Sequence, residues 1–309
     1  MTSTATGGGQ HGPARSEGEG VLQVKTTLLM VTLLLTAAPA VWAQAGEDSL
    51  DQESWPTYQP RFAPNDAFGP GERLVFSVEY GIVKAGSATM EVTGPEQYRG
   101  HSAYRITATA RSSSAFSSFF RVEDVNEALM DIYQLHTLWF AKDLNEGDYS
   151  HSEEVIFYQD QGYAHYPDET DSSLVYSDIP PHALDILSSL YYARTLPLEV
   201  GETYAMDTHA DNDNYPLLVK VLERETIRVP AGEFECIKVQ PVLRSEAIFD
   251  QQGELYVWLT DDHRHMPVLM RSAIVIGEIA CLLREYSNGE PLELESPFEP
   301  LEQPVEQGE

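Results

Sequence analysis

From Arg73 onward apolar and polar residues alternate: Leu74, Phe76, Val78, Tyr80 and Ile82 fall on one side, with Arg73, Ser77 and Glu79 on the other. A period of two is the signature of a strand that buries one face. A turn across 81–86 leads to a second segment through Ala88, Met90 and Val92, closed by Gly94 and Pro95. A third sets Tyr104, Ile106, Ala108 and Ala110 against Arg105, Thr107, Thr109 and Arg111. Further strands are predicted at 127–130, 137–141, 153–158, 217–229, 235–242, 254–260 and 268–286, the last broken at Gly277. Pro230-Ala231-Gly232 reads as a hairpin connection, and Gly71, Gly86 and Gly232 as turn positions or close backbone approaches.

One segment breaks the rhythm. Between Pro181 and Pro197, Leu184, Leu187, Tyr191 and Arg194 recur at helical spacing, and Ile186 and Leu190 widen the stripe. An amphipathic helix is predicted over 182–195, capped by Ser177 or Asp178, with Pro180 and Pro181 in its first turn and Pro197 stopping it. Tyr191 and Tyr192 are expected as packing residues. A short second helix is predicted at 114–120. The expected fold is mainly β: a single antiparallel barrel or open half-barrel, with one amphipathic helix covering or plugging it.

The chain ends differ from this middle. An apolar run at 28–41 follows Lys25 and finishes in small residues around Ala43 and Ala45. It is shorter than the ~20 residues of a membrane span and is followed by small-x-small patterns, so it predicts a cleaved signal peptide. The stretch ahead of Lys25 is long and rich in Gly, Ser and Thr, which makes Val21 an alternative start. With no Cys near the cleavage region, an exported, periplasmic product without a lipid or other stable membrane anchor is expected. Residues 1–43 are then extension and signal, 44–69 a poorly ordered segment, 70–286 one β-rich domain and 287–309 an acidic disordered tail.

The net charge of −30 changes the range of partners. Nucleic acid and anionic membrane surfaces are polyanions and would be repelled within a Debye length. Cationic partners stay open, and so does a high-salt habitat, where such acidity favours solubility. The two cysteines, Cys236 and Cys281, fall in strand-like segments. Export permits a disulfide between them, and two buried free thiols are the other reading.

Four stretches carry a resemblance: the run from Pro70 to Gly86, Asp185 through Leu198, Val-Pro-Ala-Gly-Glu-Phe-Glu-Cys at 229–236, and Trp-Leu-Thr-Asp-Asp-His-Arg-His-Met-Pro-Val at 258–268. In order and spacing they resemble the bacterial exported family called domain of unknown function 3108. The resemblance implies an exported β-rich envelope protein and supplies no reaction.

Candidate chemistry is sparse. In Asp261-Asp262-His263-Arg264-His265, the imidazoles of His263 and His265 are the candidate metal ligands, since imidazole and carboxylate suit zinc. The competing reading is a solvated hairpin turn, with Arg264 opposing a cation. Asp207, His209, Asp211 and Asp213 resemble a calcium loop but lack its Gly and terminal Glu, so a solvated loop is expected. No Gly-x-Ser-x-Gly elbow, activated thiol or phosphate-binding loop is present. No catalytic residue and no cofactor is assigned. The expected function is non-catalytic binding of an apolar or amphipathic envelope ligand such as a lipid or glycan, or docking of an envelope protein. The alternatives are a hydrolase of envelope polysaccharide or lipid and a structural scaffold, and oligomeric state is open.

Overall fold

A computed structural model describes residues 55–167, 175–243, 254–274 and 277–298. The expected signal at 1–43 and the tail beyond 298 lie outside the described residues. The described chain forms β1 (Arg73–Tyr80), β2 (Val83–Tyr98), β3 (His101–Ser112), β4 (Glu123–Asp131), β5 (Thr137–Glu146), β6 (Tyr149–Tyr158), β7 (Tyr163–Tyr166) and β8 (Val175–Asp178). After these come helix α1 (Ile186–Ala193), β9 (Thr203–Ala210), β10 (Asp213–Val229), β11 (Gly232–Leu243), β12 (Leu255–Thr260), β13 (Pro267–Ile274) and β14 (Gly277–Ser287).

All fourteen strands join one antiparallel sheet in the order β8-β7-β6-β5-β4-β3-β2-β1-β14-β13-β12-β11-β10-β9. Two meanders of successive hairpins therefore meet at β1 and β14, where the first and last strands pair. The margins, β8 and β9, follow one another in the chain. If they paired, the sheet would be a closed barrel. The intervening chain instead enters the gap: Leu184 donates to the Asp207 carbonyl (3.0 Å) and accepts from the His209 amide (2.8 Å), and the Ala183 carbonyl accepts from the Thr137 amide (3.3 Å). The result is an open half-barrel with a single α-helix among the described residues.

The period-two segments become strands with the expected faces, most clearly in β3, where Tyr104, Ile106, Ala108 and Ala110 are all buried. Gly86 is required there, because a Cβ would stand 2.2 Å from the Arg111 carbonyl oxygen of β3. Ile82 departs from its expected phase: the turn begins at Gly81, which has positive φ, and leaves Ile82 fully exposed at the hairpin tip. β2 continues past Gly94 and Pro95 by way of a register shift between Thr93 and Glu96 rather than closing there. β7, β8 and β9 occupy segments not predicted as strands.

Helix α1 is shorter than the predicted 182–195, and its cap is Asp185 rather than Ser177 or Asp178, which lie in β8. The Asp185 carboxylate accepts from the amides of Leu187 (2.8 Å) and Ser188 (3.0 Å), so it meets the two donors a capping side chain is placed to meet. Pro180 and Pro181 stand in the turn ahead of it, where His182 takes a positive φ. Tyr191 is fully buried edge-on against Phe68 at 4.9 Å, as packing requires. The second predicted helix reduces to one 3-10 turn, Phe116–Ser118.

The segments expected to be poorly ordered are anchored at a few residues where they are described. Ala67 and Phe68 are fully buried, and Leu292 and Leu294 lie on the same core. The Glu290 amide donates to the Pro70 carbonyl at 3.1 Å. Acidic, Pro-punctuated composition concealed these few apolar anchors. Of the two readings open for the cysteines, the structure has the second: Cys236 on β11 and Cys281 on β14 are buried free thiols, with β12 and β13 between their strands. Three strand spacings of about 4.8 Å put them roughly 14 Å apart along the sheet, against a limit near 7 Å. Burial pushes both thiols up to about 12.

Candidate functional site

Two of the polar clusters inside this body hold a buried cation. The first is a strut at α1. Arg194 is fully buried and forks onto Glu72, Nη1 to Oε1 and Nη2 to Oε2, each at 2.7 Å. Two further donors reach the carbonyls of Arg264 (3.2 Å) and Ala67 (3.3 Å), and its plane lies over the rings of Phe68 and Tyr191. Planar bidentate pairing, with two further donors met by carbonyls, makes such a group tolerable in a core. Beside it the chain at 58–63 is tied down through Gln134, which accepts from the Tyr58 hydroxyl at 2.7 Å and the Arg61 amide at 3.2 Å. His136 and His182 stack under Tyr58, and burial lowers them to about 3 and about 4.

The second cluster lies where the sheet margins approach each other. The β9–β10 hairpin turns at Asp211 and Asn212, both with positive φ, and its tip rests on β5 to β8. Lys142 of β5 points into the body and is buried; its Nζ contacts Glu153 of β6 (3.1 Å) and Asp211 (2.5 Å). Burial alone would lower Lys142, but these two carboxylates hold it above its ordinary range. The Tyr166 hydroxyl meets His209 Nε2 at 2.7 Å and accepts from the Asn212 amide at 2.8 Å. On the other ring nitrogen, His209 Nδ1 stands 2.9 Å from Asn214 Oδ1, and Asn214 Nδ2 donates to the Asp178 carbonyl. That donation fixes the Asn214 amide, so Nδ1 carries the imidazole proton and Nε2 accepts from Tyr166. Burial pushes His209 below the usual imidazole range. Ser177 adds a hydrogen bond to Asn212.

Between the two margins lies a pocket walled by Phe140, Val155, Phe157 and Ile186, with Lys142, Glu153 and Asp211 at its polar side. Its free space is about that of one water. Farther along the same buried face of β4 and β5 come Asn126, which pairs with Lys142 across the strands, and Asp124 and Glu146. Burial, and then the neighbouring Asp124 carboxylate, raise Glu146 to about 8. Asn126 Oδ1, Glu146 Oε1 and Asp211 Oδ2 are buried acceptors that meet no donor of the protein.

Of the residues singled out in sequence, His209 and Asp211 belong to this seam, while Asp207 and Asp213 are exposed beside it. They do not form a calcium loop. His263 and His265 do not converge as metal ligands either. His263 is exposed, and His265, with φ of 39°, places Nδ1 2.8 Å from the Arg194 carbonyl. Asp261 pairs with Arg224, and Asp262 accepts from Thr260 and the Arg264 amide, so the segment is a self-bonded turn. Among the described residues no three His, Cys, Asp or Glu side chains gather as a metal site. Sequence reasoning missed Lys142, Glu146 and Tyr166. The first two continue the buried phase of Phe140, and a charge in step with apolar neighbours was the available signal.

The geometry describes a mainly β half-barrel with a polar seam. The chain belongs to the family described as protein of unknown function (DUF3108), whose pattern matches residues 75–284. No curated protein matches it. Among solved structures it is similar to a β-barrel-like protein of the domain of unknown function DUF1849 from Brucella abortus, with TM-score 0.51 and 7% identity over 72% of this chain and 100% of that one. That likeness is one of fold. Two further structures are less similar: a protein named as a lipoprotein from Parabacteroides distasonis (TM-score 0.30, 12% identity, 74% of this chain and 100% of that one) and one named as an exported protein with a YmcC-like fold from Bacteroides fragilis (0.27, 13%, 74% and 100%).

Proposed function

We propose that this protein is an exported, non-catalytic binding protein of the cell envelope that admits an amphipathic ligand through the seam between β9–β10 and β5–β8. Export is supported by the apolar run at 28–41 with small residues at Ala43 and Ala45. The observation that carries the binding reading is the seam pocket, whose apolar walls (Phe140, Val155, Phe157, Ile186) adjoin a charged rim. Ligand sites combine an apolar lining with a few placed polar groups in this way. The margins are held by side-chain contacts and the short Leu184 bridge rather than by a strand ladder, so they can part without unpairing a strand. A hydrolase has less support: Asp124 and Glu146, two interacting carboxylates, are 1% and 2% exposed and out of reach of a polymer.

The test is uptake of N-phenyl-1-naphthylamine, an uncharged apolar fluorophore. Ser177→Cys with Asn212→Cys places a cross-link over the seam. Fluorescence should rise with the native chain, fail to rise with the oxidised variant and return on reduction. Equal uptake by the locked and reduced forms would place entry elsewhere, and no uptake by the native chain would end the binding reading.

A further inference from the structure

Resting on the seam reading, we propose that the polar end of the ligand is a cation of the ammonium type, received by the acceptors around Lys142. The charges come first. Lys142 supplies one positive charge, and Glu153 and Asp211 in contact with it supply two negative ones, so the triad is already neutralised and left with an excess carboxylate. The second observation is independent of charge. Asp211 Oδ2 is buried on the pocket wall without a donor; behind Lys142, Oδ1 of Asn126, a side chain 1% exposed that pairs with Lys142 across β4 and β5, also meets none. Buried polar atoms are normally paired, and a group of unmet acceptors calls for donors.

A carboxylate or phosphate head offers only further acceptors and brings its negative charge beside Asp211. An ammonium offers up to three N–H donors and a positive charge, in surroundings where burial strengthens both. Its alkyl chain would lie along Phe140, Val155 and Phe157. The overall charge of −30 attracts any cation, so the local claim must be separated from the global one.

The experiment displaces N-phenyl-1-naphthylamine from the full chain with dodecylammonium, dodecanol and dodecanoate. Dodecylammonium is expected to displace it at about tenfold lower concentration than dodecanoate, with dodecanol between them. Asp211→Asn should bring the three together, whereas Glu233→Gln, which removes a charge at an exposed position paired only with Arg228, should leave the ranking unchanged. Asn126→Val removes an acceptor without touching the Lys142 ion pairs, and it should narrow the ranking even if Asp211→Asn folds poorly. Equal displacement by all three, or the same loss of ranking in Glu233→Gln, overturns the ammonium head while leaving the seam reading in place. Failure of the native chain to take up the fluorophore overturns both.

Discussion

The strut at Arg194 and the seam at Lys142 are both buried cation–carboxylate groups, yet they are finished to different degrees. Around Arg194 the guanidinium donors are met by Glu72 and two carbonyls, and aromatic faces close over the group. Around Lys142 the positive charge is matched twice over, and acceptors are left unmet at Asp211, Asn126 and Glu146. A core group under selection for stability alone is expected to be fully satisfied. The strut too leaves an atom unmet, the Tyr191 hydroxyl beneath Arg194, so what sets the seam apart is that its unmet atoms are acceptors beside a cation already matched by two carboxylates.

Breaking the strut should have the largest effect. Glu72→Gln leaves Arg194 as an unpaired charge in the core and should cost about 3–5 kcal/mol, read as a fall in the urea midpoint. Glu72→Leu with Arg194→Met should recover much of that loss, because it removes the charge together with its partner. A loss below about 1 kcal/mol for Glu72→Gln would mean that water reaches the pair, and the contrast with the seam would collapse.

The seam should respond in the opposite direction. Glu146 has a folded pKa raised from 4.5 to about 8, so the folded state binds the extra proton between those values. Its contribution is fully present below about 4.5 and is lost as pH rises through about 8. Glu146→Gln, which is permanently neutral, should therefore match the native chain at pH 4 and exceed its stability at pH 9 by on the order of 2–4 kcal/mol. Unfolding free energies at the two pH values check this. A variant less stable at pH 9 would show that the charged carboxylate is needed there.

Much of the frame was legible from period two alone, and the places where it was not share a cause. β3 alternates cleanly, whereas β1 also buries Val75 and Ser77 on its expected polar face, and the hairpin at Pro230 and Ala231 pairs Val229 with Gly232 as the turn residues imply. Ile82 kept the apolar phase but lay beyond the turn, so periodicity counted one residue too many. Asp185 holds the helix cap through Leu187 and Ser188, a local signal passed over in favour of the residues ahead of the prolines. The strand predicted at 137–141 stops one residue short of Lys142, whose phase with Phe140 and Leu144 marks it as buried. The seam itself could not be read. It exists only because β8 and β9, the sheet margins, are brought together by fourteen strands of curvature, and β7 and β8 are four residues each, too short to carry a period.

The smallest effect separates a latch from a strut. Tyr166→Phe removes the hydroxyl that joins His209 Nε2 to the Asn212 amide while keeping the ring. Hydrogen bonds of this kind contribute about 0.5–1.5 kcal/mol, so global stability should fall by no more than that. Local opening is another matter, because regions held by few contacts exchange through sub-global openings of their own. Amide exchange at the β9–β10 tip should accelerate several-fold, with the amides of β1, β2 and β14 unchanged, as followed by hydrogen–deuterium exchange. A uniform acceleration across the sheet would tie the seam to global unfolding and make it a second strut; acceleration confined to 208–214 would leave it as the part of the half-barrel that opens first.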